Sequence, residues 1–85
     1  MLNEYRKQLD LIDKEIILLL KKRQDIAKKI GEYKKKNNMN SYQPSRWKEV
    51  LETRKQFAEK NQLDPKFIEK LWELIHEWSL KLQKF

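Results

Sequence analysis

Eighty-five residues make one domain, small enough that only about two thirds of the unfolded chain's surface can be buried on folding, and with no cysteine there is no disulfide framework to compensate. Twenty Lys and Arg against 13 Asp and Glu leave a charge of +7, which favours anionic partners: nucleic acid, acidic membranes or small polycarboxylates. The longest apolar run, Ile16 to Leu20, is five residues bracketed by charges; this excludes a signal-peptide core or a membrane span, and a soluble, unprocessed cytoplasmic protein is expected.

One glycine and two prolines, with Leu, Lys, Glu, Gln and Arg dominant, predict an all-α protein. The first helical pattern runs from about Asn3 to about Lys36, roughly 50 Å at 1.5 Å per residue. Its apolar face steps through Leu9, Ile12, Ile16, Leu19, Arg23, Ile26 and Ile30 at intervals of three and four, the period of a face packed against partners. Arg23 interrupts that stripe. A buried, unpaired guanidinium costs several kcal/mol or more, so Arg23 requires an anion from the protein or from a ligand. Lys34, eleven residues on, returns to within about 20° of the same face, so the two cations are able to converge on one anion.

The polar stretch Asn37 to Ser41, then Tyr42-Gln43-Pro44, forms the one substantial loop. A second helix from near Ser45 carries Trp47, Val50, Leu51, Arg54, Phe57 and Ala58 on one face, and Asn61-Gln62 stops it. Arg46 lies in its first turn, where free N–H groups favour anions. Asp64-Pro65 reads as an N-cap and a first-turn proline for a third helix running close to Phe85. Its stripe of Ile68, Leu71, Trp72, Ile75, Trp78 and Leu82 gives way to Ser79 and Gln83 on the side led by Ile68, Trp72 and Ile75.

Neither short helix alone covers a stripe of roughly 50 Å, so an intertwined helical dimer is expected; a three-helix monomer using the last two helices in tandem is the alternative. Arg6 shares the side of Leu2, Leu9 and Asp13 but lies about 25 Å along the helix from Arg23. In an antiparallel dimer it approaches Arg23 of the partner instead. His76 has no second histidine or cysteine at ligand spacing, so no metal is expected, and there is no glycine-rich phosphate loop. Each cationic or polar residue also has a plainer reading: Arg23 paired with a core carboxylate, Lys34 in a solvated lysine run, Arg6 and Arg46 on the surface, Ser79 and Gln83 facing water.

Taken together the residues resemble the all-helical class of chorismate mutases. The likeness spans Arg6, Leu9-x-x-Ile12-Asp13-x-x-Ile16, Leu19-Leu20-x-x-Arg23-x-x-x-Ala27, Ile30-Gly31-x-x-Lys34, Tyr42-x-Pro44-x-Arg46, Leu63-Asp64-Pro65-x-Phe67 and Ile75-His76-Glu77-x-Ser79-x-x-x-Gln83. The resemblance implies an intertwined homodimer with shared sites that rearranges chorismate, a dicarboxylate, to prephenate without a cofactor. By the same resemblance Arg23 and the second subunit's Arg6 bind carboxylates, with Arg46 supporting that anion site. Lys34 and Gln83 donate to the ether oxygen as charge grows on it, and Ser79 meets the carboxylate or hydroxyl region. Two positions depart from the bacterial pattern: Trp47 stands where a glutamate holds the substrate hydroxyl, and Gln43 where an aspartate is usual. Trp47 also leads the apolar stripe of its helix, a core role.

Non-acidic residues at these positions are similar to those of isochorismate-pyruvate lyases, the rival activity, although the lyases do not keep a serine like Ser79. A basic module binding nucleic acid or a partner helix is the more distant alternative. The lysines are spread around all three helices and no recognition turn is evident, which argues against nucleic acid.

Overall fold

The computed structural model describes residues 1–83. Helix α1 spans Leu2–Lys36, α2 spans Pro44–Lys60 and α3 spans Pro65–Gln83. The expected run to Phe85 extends beyond the described residues.

Local chemistry fixes the helix ends. Helix α1 closes on three lysines, whose charge suits the carbonyl end of the helix dipole. The Asn37 side-chain amide donates to the Tyr33 carbonyl at 2.8 Å, Asn38 turns left-handed at φ 52°, and the Met39 N–H returns to the Lys34 carbonyl at 2.8 Å. Helix α2 ends the same way, with Gln62 at φ 60° and the Leu63 N–H donating to the Ala58 carbonyl at 2.9 Å. Both stops use left-handed residues other than glycine, and asparagine tolerates that conformation best. Gln43, in extended conformation, precedes Pro44 at the start of α2. At the start of α3 the Asp64 carboxylate accepts the Lys66 N–H at 2.9 Å, as the Asp-Pro pair predicts.

Helix α3 is the central element and packs against both others, whereas no Cα of α1 comes within 8 Å of one in α2. The tandem arrangement, with both short helices laid along α1, does not occur. Contacts close through small or branched side chains: Ala27 of α1, Ala58 of α2 and Ile68 of α3 are buried, as is Gly31. A Lys55 to Glu69 ion pair at 3.7 Å ties α2 to α3 from outside. Phe57 and Trp78, expected on the packed stripes, are exposed instead, since each lies at the edge of its stripe, away from the neighbouring helix.

The molecule measures 55 × 24 × 15 Å because α3 covers only the second half of α1. Every residue from 1 to 19 is exposed. Leu9 and Leu19 retain 58% and 59% of their accessible surface, and Ile12 and Ile16 retain 49% each, so the apolar stripe read from the sequence is bare over its first half. No described helix is long and apolar enough to cross a membrane.

Candidate active site

Between α1 and α2, floored by α3, lies a cavity of about 580 Å³. The 3.6-residue period that makes Arg23, Ala27, Ile30 and Lys34 one face of α1 presents all four to it. Helix α2 contributes Arg46, Trp47 and Val50 from its first two turns, and α3 contributes Trp72, Ile75, His76, Ser79, Leu80 and Gln83. Ser41 and Gln43 enter from the loop. Seven of the eight residues singled out in the sequence therefore line one cavity. The eighth, Arg6, is exposed on the bare half of α1 and outside it.

Among the described residues no carboxylate pairs with Arg23. Its burial in the wall, and secondly the positive charge of Arg54, lower its pKa from the ordinary arginine value. Both effects penalise the charged form, so a bound anion relieves them together. The partner that Arg23 requires is thus absent from this chain's described residues. Arg46, by contrast, is exposed and engaged by Glu49 one turn on, consistent with its plainer reading as a surface residue at the cavity rim.

Lys34 is half-buried rather than part of a solvated run. Its ammonium donates to the Gln83 Oε1 at 2.8 Å and to the Ser41 carbonyl at 2.8 Å. An ammonium has three protons and no acceptor, so one proton remains, and taking Gln83 by its oxygen leaves the amide NH2 free to donate. Two donors are thereby held side by side. Burial lowers the Lys34 pKa. The Ser41 hydroxyl donates to the Gln83 carbonyl at 3.1 Å, closing the loop onto the end of α3.

Gly31 makes this junction possible. A Cβ there would stand 2.9 Å from the Cα of Gln83 and 3.3 Å from both its Cβ and Cγ. Such approaches are well inside the carbon contact distance of about 3.5–4.0 Å, so only glycine lets α1 and α3 meet this closely.

In the same cavity Trp47 and His76 stack, with centroids 3.9 Å apart and planes 10° from parallel. Tyr42 packs on the same imidazole at 5.7 Å, tilted by 55°. Burial first, and then the charge of Lys34, lower the His76 pKa, so the ring is neutral at pH 7. His76 Nε2 and Trp72 Nε1 are buried without a hydrogen-bond partner among the described residues. Ser41, Trp72 and the His76 stack were not among the site residues read from the sequence. The loop position of Ser41 and the helical spacing of Trp72, His76 and Ser79 were the available signals. Among the described residues no three His, Asp or Glu side chains cluster to hold a metal ion.

Comparison with known proteins accounts for this combination of helices and cavity. The chain is 38% identical over 80 residues, 94% of its length, to the bifunctional chorismate mutase/prephenate dehydratase of Buchnera aphidicola subsp. Schizaphis graminum. It is 47% identical over 51 residues, 60% of its length, to the Aquifex aeolicus protein of the same description. It is also 29% identical over 82 residues to 4-amino-4-deoxychorismate mutase of Streptomyces pristinaespiralis. The aligned stretches span 21%, 14% and 64% of those three proteins. The model of the type II chorismate mutases matches residues 5–84, nearly the whole of α1, α2 and α3 and every residue lining the cavity, and the chain belongs to that family.

Proposed function

We propose that this chain catalyses the rearrangement of chorismate to prephenate, in a cavity completed by a second copy of itself. The observation that carries the reading is the donor set of the cavity: Arg23 without a protein carboxylate, and the Lys34 proton and Gln83 amide held side by side across the junction of α1 and α3. A dicarboxylate supplies the anion that Arg23 lacks. An ether oxygen seated against Lys34 and Gln83 gains two hydrogen bonds that strengthen as its bond to carbon breaks and negative charge accumulates there, which lowers the barrier rather than merely tightening binding. The apolar wall of Ile26, Ile30, Val50 and Ile75 favours a folded, chair-like substrate over an extended one. The bond that breaks and the bond that forms lie within one molecule, so the reaction itself requires no cofactor.

The second carboxylate asks for another cation, and the bare stripe of α1 supports its source. Leu9, Ile12, Ile16 and Leu19 require cover, and an antiparallel partner gives it while bringing the partner's Arg6 to the region of Arg23. Ser79 beside Gln83 favours the mutase over isochorismate-pyruvate lyase activity. The name of the Streptomyces relative brings in a further candidate substrate, with an amino group in place of the ring hydroxyl.

The test is to follow chorismate and isochorismate side by side. Chorismate is expected to yield prephenate, and Arg23→Ala or Lys34→Ala to lower kcat/KM by about 100-fold or more with helical content retained. Release of pyruvate and salicylate from isochorismate in preference, or normal rates in both variants, would overturn the reading. Mixing Arg6→Ala with Arg23→Ala chains is expected to restore roughly a quarter of wild-type activity, since half of the randomly assorted dimers carry one intact site. No recovery on mixing would count against Arg6 of one chain meeting Arg23 of its partner.

A further inference from the structure

The cavity wall contains three cations, Arg23, Lys34 and Arg46, one neutral imidazole, and neither aspartate nor glutamate. The carboxylate on the first turns of α2, Glu49, is exposed and engaged by Arg46, and it does not line the cavity. Within reach of the Lys34 charge the wall also holds Gln43, Trp47 and His76, where the indole of Trp47 is stacked flat on the imidazole.

Resting on the mutase reading, we propose that this wall of Gln43, Trp47 and His76 selects a substrate whose ring substituent is neutral, so that a ring hydroxyl is accepted and an ammonium in its place is rejected. The inventory of groups gives the reason. A hydroxyl both donates and accepts, and it matches Gln43, whose amide does the same. An ammonium has three protons to place and nothing to accept with. The acceptor that this wall offers it is the Gln43 oxygen, and no carboxylate among the described lining residues balances its charge. It also enters the positive potential of Arg23 and Lys34, both already held in their charged forms against burial. Like charges brought together at a desolvated site cost several kcal/mol, which corresponds to at least about 100-fold in specificity.

The experiment compares chorismate with 4-amino-4-deoxychorismate at pH 7, by turnover and by calorimetric binding, in the wild type and in Gln43→Glu and Trp47→Glu. The wild type is expected to prefer chorismate by about 100-fold or more in kcat/KM. Gln43→Glu, nearly isosteric, introduces a carboxylate without disturbing the stack, and is expected to narrow the preference at least tenfold by improving the amino compound. Trp47→Glu does the same from the first turn of α2. Equal use of the two compounds by the wild type, or a preference unmoved in both variants, overturns the proposal. If chorismate is bound in preference to the amino compound but not rearranged, the mutase reading fails and the selectivity stands. Binding of neither compound, with folding intact, removes both.

Discussion

Replacing Gly31 with alanine tests the junction that holds Lys34 against Gln83. The new Cβ lies 2.9 Å from the Cα of Gln83, and restoring a contact of about 3.5 Å requires a separation of roughly 0.6 Å. The obstacle is backbone, so no side-chain rotation relieves it. The same displacement takes the 2.8 Å bond from Lys34 to Gln83 to roughly 3.4 Å, beyond the useful hydrogen-bond range. A misplacement of about 1 Å at a reacting group costs on the order of 100-fold, so about 0.6 Å implies a loss of roughly 10- to 20-fold in kcat. Stability responds differently. Overpacking costs about 1–3 kcal/mol, while exchanging glycine for alanine inside a helix returns about 0.5–1 kcal/mol, leaving a net loss of roughly 0–2.5 kcal/mol. The signature is therefore a large fall in kcat with a modest fall in Tm. Steady-state kinetics and thermal unfolding on the same preparation measure both. A cycle with Gln83→Ala isolates the route, because in that background Gly31→Ala should cost little more activity. Wild-type kcat in Gly31→Ala, or an undiminished loss in the absence of the Gln83 amide, would refute the reasoning.

Lys34 has its folded pKa lowered by burial, so its charged, donating form disappears below the pH range of an ordinary lysine. The profile of kcat/KM is expected to turn down there while the fold persists: between the folded and unfolded pKa values the unfolded chain binds more protons, and Lys34 adds stability as pH rises through that window. For His76, also lowered, the unfolded chain again binds the extra proton between the folded value and about 6.5. Stability should fall as pH drops through that window, and His76→Phe, which keeps an aromatic ring against Trp47, should lose less than the wild type in urea midpoints between pH 7 and pH 5. If the proposed dimer buries the bare stripe of α1, Ile16→Glu places a charge in it and should shift the molecular mass in sedimentation from dimer toward monomer. It should abolish turnover with it, and an unchanged dimer or unchanged activity would count against the shared site.

The helices were legible because their signals are local. The period of α1, the Asn-rich stops and the Asp64-Pro65 start each act within a few residues. Arg23 was legible as an anomaly, since a cation at an apolar period declares an unmet need, and Ser79 and Gln83 showed as a polar turn in an apolar stripe. Ser41 was not. It serves Lys34 through a main-chain carbonyl, a group every residue carries, so no side-chain pattern marks it. The stack of Trp47 on His76 was hidden for another reason: it joins two helices, and helix period says which way each ring points but not how α2 crosses α3. Phe57 and Trp78 show the same gap from the other side, apolar at the right spacing yet exposed, because periodicity defines a stripe and not how much of it a neighbour covers.

Helices α1 and α2 face each other across the cavity with no Cα of one within 8 Å of a Cα of the other, each held to α3 and connected through the loop that Ser41 pins. A ligand spanning Arg23 on one side and Trp47 on the other then acts as a strut, adding contacts between two helices whose backbones do not pack against each other. Substrate capture and stiffening of α2 become the same event. Amide hydrogen exchange along α2 will slow on binding far more than along α1, and the ease with which α2 swings away will govern how quickly product escapes.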